Sequence, residues 1–165
     1  YIYGQIINFA AKGQENLKFT NAQNKQMSQI KVANRIMVKI IKDTKDLTKN
    51  IAIFSNSDNE HIQKEYNKFR KKVVKVLRVI YLFRTNEEKE EYYQQLLKLK
   101  KSAKIAVNTD NKSINKLIRK NLITIDMASS LVNDNVNVNE LVRNLIQVAE
   151  LLYSEKDAIL ENENN

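Results

Sequence analysis

The sequence predicts an all-α protein, an antiparallel helical bundle built on a long central helix hairpin, and three observations carry that prediction. Proline is absent and only two glycines, Gly4 and Gly13, occur in 165 residues, so helix breakers are scarce. Apolar residues recur at helical spacing over long stretches. Capping-box spacings at Ser57/Glu60 and Thr85/Glu88 mark helix starts.

The hairpin occupies residues 30–84. Its first helix carries Ile36, Ile40, Leu47, Ile51 and Phe54 on one face, and its second carries Ile62, Tyr66, Phe69, Val73, Leu77, Ile80 and Phe83. Between them SNSDNE at 55–60 reads as a turn, with Ser57 and Glu60 at capping-box spacing. A connection this short makes the two helices antiparallel neighbours with a shared core.

Before the hairpin, YIYGQIINFAAK at 1–12 predicts a short helix stopped by Gly13. Residues 14–26 read as a polar linker that Leu17 pins to the body. After it, Thr85 and Glu88 suggest a second capping box opening a third major helix through Tyr92, Tyr93, Leu96, Leu97 and Leu99. Glu87, Glu88, Glu90 and Glu91 suit that helix's start, and Lys98, Lys100, Lys101 and Lys104 its later part. NTDNK at 108–112 reads as a loop, and Ile114, Leu117 and Ile118 resume a short helix that Leu122 and Ile123 seal. Thr124 then caps a segment with Met127, Ala128 and Leu131 on its buried side. NVNVNE at 135–140 alternates like a strand but is too solitary for a sheet, and with Asn137 and Glu140 at cap spacing it reads as a turn. The last helix uses Leu141, Leu145, Val148, Leu151 and Leu152. The expected division is 1–26 as N-terminal helix and linker, 27–155 as helical-bundle domain and 156–165 as a frayed acidic tail.

Composition, with 42% hydrophobic and 28% charged residues, is that of a folded globular domain. There is no cysteine, which excludes a disulfide framework, a thiolate nucleophile and a Cys/His zinc site. No signal peptide and no apolar run of bilayer length is visible. The first residue is Tyr rather than Met, as in a segment taken from a longer chain. Lysine outnumbers arginine 22 to 6 and asparagine is frequent, both read as a nucleotide-composition bias.

Charge is unevenly placed. Residues 1–84 hold 17 basic and 6 acidic side chains, net +11, and residues 85–165 hold 11 basic and 13 acidic, net −2. Lys42, Lys45 and Lys49 on one hairpin helix and Lys68, Lys71, Lys72 and Lys75 on the other are the expected contact residues. Three roles suit them: nonspecific phosphate binding to nucleic acid, placement beside anionic lipid headgroups, or plain solvation. Sparse arginine argues against base-edge recognition.

No constellation points to catalysis or to a bound cofactor. His61 lacks a second histidine and reads as a solvated residue at a helix start. Asp43 and Asp46 are three apart and read as a surface ion-pairing group, because Lys42, Lys45 and Lys49 oppose a cation there. Asp126, Asn133 and Asp134 read as cap and turn residues. Gly4 and Gly13 make no phosphate loop. Catalytic and metal assignments are therefore none.

Three strings carry a family resemblance: KDTKDLTKN within 38–51, EYNKFR within 55–83, and MASSLVND within 114–134. Over about residues 30–152 the chain resembles the cytoplasmic C-terminal region of bacterial sodium-dependent phosphate cotransporters, a region similar to PhoU-type helical bundles. The resemblance implies a non-catalytic regulatory or interaction domain of a sodium/phosphate cotransporter-like membrane protein, at the cytoplasmic face of the plasma membrane. It implies partners in the transporter's own membrane domain and in anionic lipid headgroups, with self-association as a further mode. PhoU-type domains carry E/D-x-x-x-D metal motifs. Here Asp43 and Asp46 have the wrong separation, and neither Asp126 nor Asp134 has an acidic residue four positions away, so no metal site is carried over. The alternative expectation is a basic helical nucleic-acid-binding protein.

Overall fold

Five helices account for nearly all of residues 2–154, the part of the chain that the computed structural model describes. They are α1 (Ile2–Asn16), α2 (Asn21–Phe54), α3 (Glu60–Thr85), α4 (Lys89–Arg119) and α5 (Ile125–Tyr153), with no strand among the described residues. The expected frayed tail at 156–165 lies outside them.

The expected hairpin is present as α2 and α3, but it is not the element on which the bundle is organised. α5 packs along α2, α3 and α4 at once, whereas α2 and α3 touch each other only sparingly and α1 rests on α2 alone. The reason lies in α5's composition. Ala128, Leu131, Val138, Leu141, Val142, Ile146 and Ala149 put small or branched apolar groups around much of its circumference, and all are buried. A helix that is apolar on several sides can be covered only by several neighbours.

Two apolar cores result. One joins Leu47, Tyr66, Phe69, Ile114 and Leu131, and the other joins Val76, Phe83, Tyr93, Leu96 and Ile146. Phe54 stacks on Tyr66 with ring centroids 5.0 Å apart, closing the α2–α3 turn, and Phe83 stacks on Tyr93 at 5.8 Å beside the α3–α4 turn.

Several boundaries differ from the sequence-based expectation. α1 continues through Gly13, which has negative φ and behaves as an ordinary helical residue. α2 begins at Asn21, where Thr20 and Gln23 form a reciprocal capping box, so the linker is far shorter than 14–26. Leu17 is 59% exposed and pins nothing. At the next turn Asn59, not Ser57, caps α3: its Oδ1 accepts from the amides of His61 and Ile62 at 3.0 and 3.2 Å. Its Nδ2 also donates to the Leu122 carbonyl at 2.8 Å, tying two turns together. Thr85 is the last residue of α3 and donates back to Tyr81 O, while Glu88 at the start of α4 makes no side-chain cap.

The supposed loop at 108–112 is interior to α4, and the supposed turn at 135–140 is interior to α5. Asparagine disfavours helix interiors because its side chain competes for backbone groups. Here Asn111 and Asn135 meet across α4 and α5, and Asn139 accepts from Lys72 on α3. α4 ends at Arg119, and just beyond it Asn121, with φ of 53°, lets the Asn121 and Leu122 amides reach back to Ile118 O and Leu117 O at 2.9 and 3.0 Å, a Schellman closure.

Leu131 is wholly buried whereas Leu77, expected in the core, is 48% exposed. Leu131→Ala is therefore expected to cost about 2–5 kcal/mol and Leu77→Ala less than about 0.5 kcal/mol, as measured by urea denaturation of the two variants.

Candidate interaction surface

Two polar systems stand out, one running from the partly buried Lys72 into the bundle and one open to solvent. The inner one begins with Lys72 on α3, between the two apolar cores. Its Nζ donates to Asn139 Oδ1 at 3.0 Å and to Asp110 Oδ2 at 3.2 Å. Asn139 Nδ2 in turn donates to the Asn135 carbonyl and Oδ1 at 2.7 and 2.8 Å, one turn earlier on α5. Asn135 Nδ2 donates to Val107 O and Asn111 Oδ1 on α4 at 3.2 and 3.3 Å. One layer thus joins α3, α4 and α5, with Asn135 and Asn139 fully buried.

Asp134 forms a second inner group. Its Oδ2 accepts from Tyr66 Oη at 2.7 Å and from Asn50 Nδ2 at 2.9 Å. Burial, and then the bond to the Asp134 carboxylate, push the Tyr66 hydroxyl well above the ordinary tyrosine value, because both penalise a phenolate there. Glu150, also buried, accepts from Lys100 Nζ at 2.8 Å. Lys100 therefore answers a carboxylate on α5 and not the end of its own helix. Nearer the surface, Lys39 bonds Glu140 and lies 3.6 Å from Asp43; the bond to Glu140 raises its pKa above the ordinary lysine value.

The expected contact lysines divide between the two systems. Lys42, Lys45 and Lys49 on α2 are exposed, as are Lys71 and Lys75 on α3. Lys68 is exposed but pairs with Glu65 at 2.6 Å. Lys72 belongs to the inner layer. The sequence reading passed over Arg70, Val74 and Tyr81, which are exposed on α3; they complete a surface with Arg78, read as part of the basic face, and Leu77, expected in the core. The spacing of 74, 77 and 81 was the available signal, since it marks a second apolar stripe on the same helix.

The other candidates do not converge. His61 is exposed at the start of α3. Asp43 is partly buried and Asp46 exposed on α2, and Asp126 and Asn133 are exposed on α5. Asp134, expected at a turn, lies buried in mid-helix. Among the described residues no group of three or more His, Cys, Asp or Glu side chains is placed to hold a metal ion. Nor is any described helix long and apolar enough to cross a membrane. A depression of about 690 Å³ beside the α3–α4 turn is lined by Phe83, Glu87, Glu88, Glu91 and Tyr153, so that corner is acidic where the outer face of α3 is basic. Chemically, the open surface is suited to holding anions beside apolar groups.

Compared with protein-family models, curated proteins and solved structures, the chain matches none.

Two expectations test the inner system. Free tyrosine ionises near pH 10.0, and the folded Tyr66 holds its proton to higher pH. Its contribution is complete below that value and declines as pH rises, because only the unfolded state then releases the proton. Tyr66→Phe should lose about 1–3 kcal/mol at neutral pH and show a shallower alkaline decline than the parent in urea melts taken across pH. Lys100→Met should be destabilised by a similar amount, about 1–3 kcal/mol, by stranding Glu150. The double variant Lys100→Met/Glu150→Leu should recover most of it, as read by thermal denaturation.

Proposed function

We propose that this chain is a non-catalytic interaction domain whose exposed cations hold it against an anionic surface. Following its sequence resemblance, it serves as a PhoU-like accessory domain of a sodium/phosphate cotransporter-like membrane protein, at the cytoplasmic face of the plasma membrane. The observation that carries the reading is the state of its lysines. Among the described residues, Lys42, Lys45, Lys49, Lys71 and Lys75 have no carboxylate within 4.0 Å. Each such lysine near anionic headgroups contributes on the order of 1 kcal/mol, so several together give reversible, salt-sensitive attachment. The groups able to do acid-base chemistry support the non-catalytic part, since Tyr66 and Asp134 satisfy each other out of solvent. Lys72 is likewise occupied by Asn139 and Asp110.

A nucleic-acid partner is the second reading. Tyr81, 61% exposed on the same helix as Arg78 and Arg84, offers a stacking surface beside phosphate-binding cations.

The test is flotation of the full chain with phosphatidylserine-containing vesicles, in parallel with DNA and RNA binding, from about 50 to 200 mM salt. Preferential vesicle binding that weakens with salt is expected. Lys42→Glu/Lys45→Glu/Lys49→Glu should reduce it by at least about tenfold. Unchanged vesicle binding by that variant, with its helical circular dichroism intact, would overturn the reading. Nucleic-acid binding without lipid preference would put the second reading first.

A further inference from the structure

The sparse contact between α2 and α3 leaves an opening in the bundle. Both helices lie on α5, and Phe54 and Tyr66 join them at their turn. Beyond that, an apolar groove of about 200 Å³ opens, with Leu47 on one wall, Phe69 and Val73 on the other, and Val138 and Leu141 of α5 as its floor. Arg70 and Val74 line this groove and also line a second depression on the outer side of α3, with Lys71, Lys75 and Arg78. Groove and basic face are therefore one continuous surface.

That surface carries an apolar stripe. Val74, Leu77 and Tyr81 are 63%, 48% and 61% exposed, and their i, i+3, i+7 spacing sets them along one side of α3. Cations flank the stripe. Among the described residues, Arg70, Lys71, Lys75 and Arg78 have no carboxylate within 4.0 Å.

We propose that the α2–α3 groove and the adjoining α3 stripe receive an acidic amphipathic helix of a protein partner. Its apolar side would cover Val74, Leu77 and Tyr81 and enter the groove, and its carboxylates would face Arg70, Lys71, Lys75 and Arg78. Charge complementarity calls for an anionic occupant, since arginine's planar fork pairs bidentately with carboxylate and phosphate alike, and the apolar stripe between the cations adds the demand for an apolar side. The exposed apolar stripe favours a helix laid along α3; a phosphate backbone would leave Val74, Leu77 and Tyr81 uncovered. A second copy is a poorer fit. The chain's own Glu87–Glu91 cluster is followed by Tyr92 and Tyr93, which turn inward and offer no apolar stripe. The site shares Lys71 and Lys75 with the headgroup reading but does not use Lys42, Lys45 or Lys49.

The experiment is fluorescence anisotropy of the full chain with three labelled peptides of about five helical turns. The first has a leucine stripe flanked by glutamates, the second the same stripe flanked by lysines, and the third the first peptide's residues with the stripe scrambled. The acidic amphipathic peptide is expected to bind at least about tenfold tighter than either other peptide. Val74→Asp should weaken it by about the same factor. Arg70→Glu/Arg78→Glu should do likewise and shift preference towards the lysine-flanked peptide, which a merely unfolded variant would not do. Lys42→Glu/Lys45→Glu/Lys49→Glu should leave peptide binding intact, so that failure of the headgroup reading and failure of this one are read separately. Equal binding of the scrambled peptide, binding insensitive to Val74→Asp, or no binding of any peptide would overturn the proposal. So would concentration-dependent self-association abolished by Tyr81→Asp, which would assign the surface to a second copy.

Discussion

Asn139 on α5 accepts the ammonium of Lys72 from α3 and bonds to Asn135, which in turn reaches α4. This chain of contacts fixes how three helices meet. Apolar packing alone tolerates sliding and rotation, because a leucine displaced by a turn still finds apolar neighbours. A buried amide does not, since leaving it unpaired costs its full desolvation. With Lys72, Asn135 and Asn139 at one level, the register of α3, α4 and α5 pairs all three side chains, and a slip of one turn would part them. The layer thus serves to specify the arrangement more than to strengthen it.

The attachment of α2 follows the same logic with fewer bonds. Asn50 meets Asp134 near the α2–α3 turn, and Lys39 meets Glu140 further along. Both partners are on α5, so α2 is referred to α5 and not to α3. That explains why an ostensible hairpin holds together at its turn through Phe54 and Tyr66 yet leaves a groove beyond it. The opening is a consequence of which helix carries the polar partners.

Helix class and much of the core were legible because they depend on local pattern: Leu47, Tyr66, Phe69 and Phe83 were placed on buried faces by spacing and are buried. Thr124 was recognised as a cap and is one. The centrality of α5 was not legible, because its 135–140 run contains asparagines that locally signal a turn. Their helical state depends on Lys72, Val107 and Asn111, which are distant in sequence. Asp110 misled in the same way, since its partner Lys72 is 38 residues away. For the surface, counting cations found the basic helices but could not separate Lys72, which is partly buried and bonded to Asn139 and Asp110, from Lys71 and Lys75 beside it. At about 100° per residue, adjacent lysines face different worlds, and the deciding partners lie on other helices.

That separation bears directly on how a basic bundle should be interpreted. Net charge measures long-range attraction, but the cations available to a partner are those left after the fold has used its own. Here Lys39, Lys72 and Lys100 are committed to Glu140, to Asn139 and Asp110, and to Glu150. Of the cations beside Val74, Leu77 and Tyr81, among the described residues Arg70 meets only the Asn67 amide, and Lys71, Lys75 and Arg78 have no carboxylate within 4.0 Å. Charge alone would suit any polyanion. Charge bordering an apolar groove asks for a partner that carries both features in a fixed geometry, and an amphipathic helix is the simplest object that does.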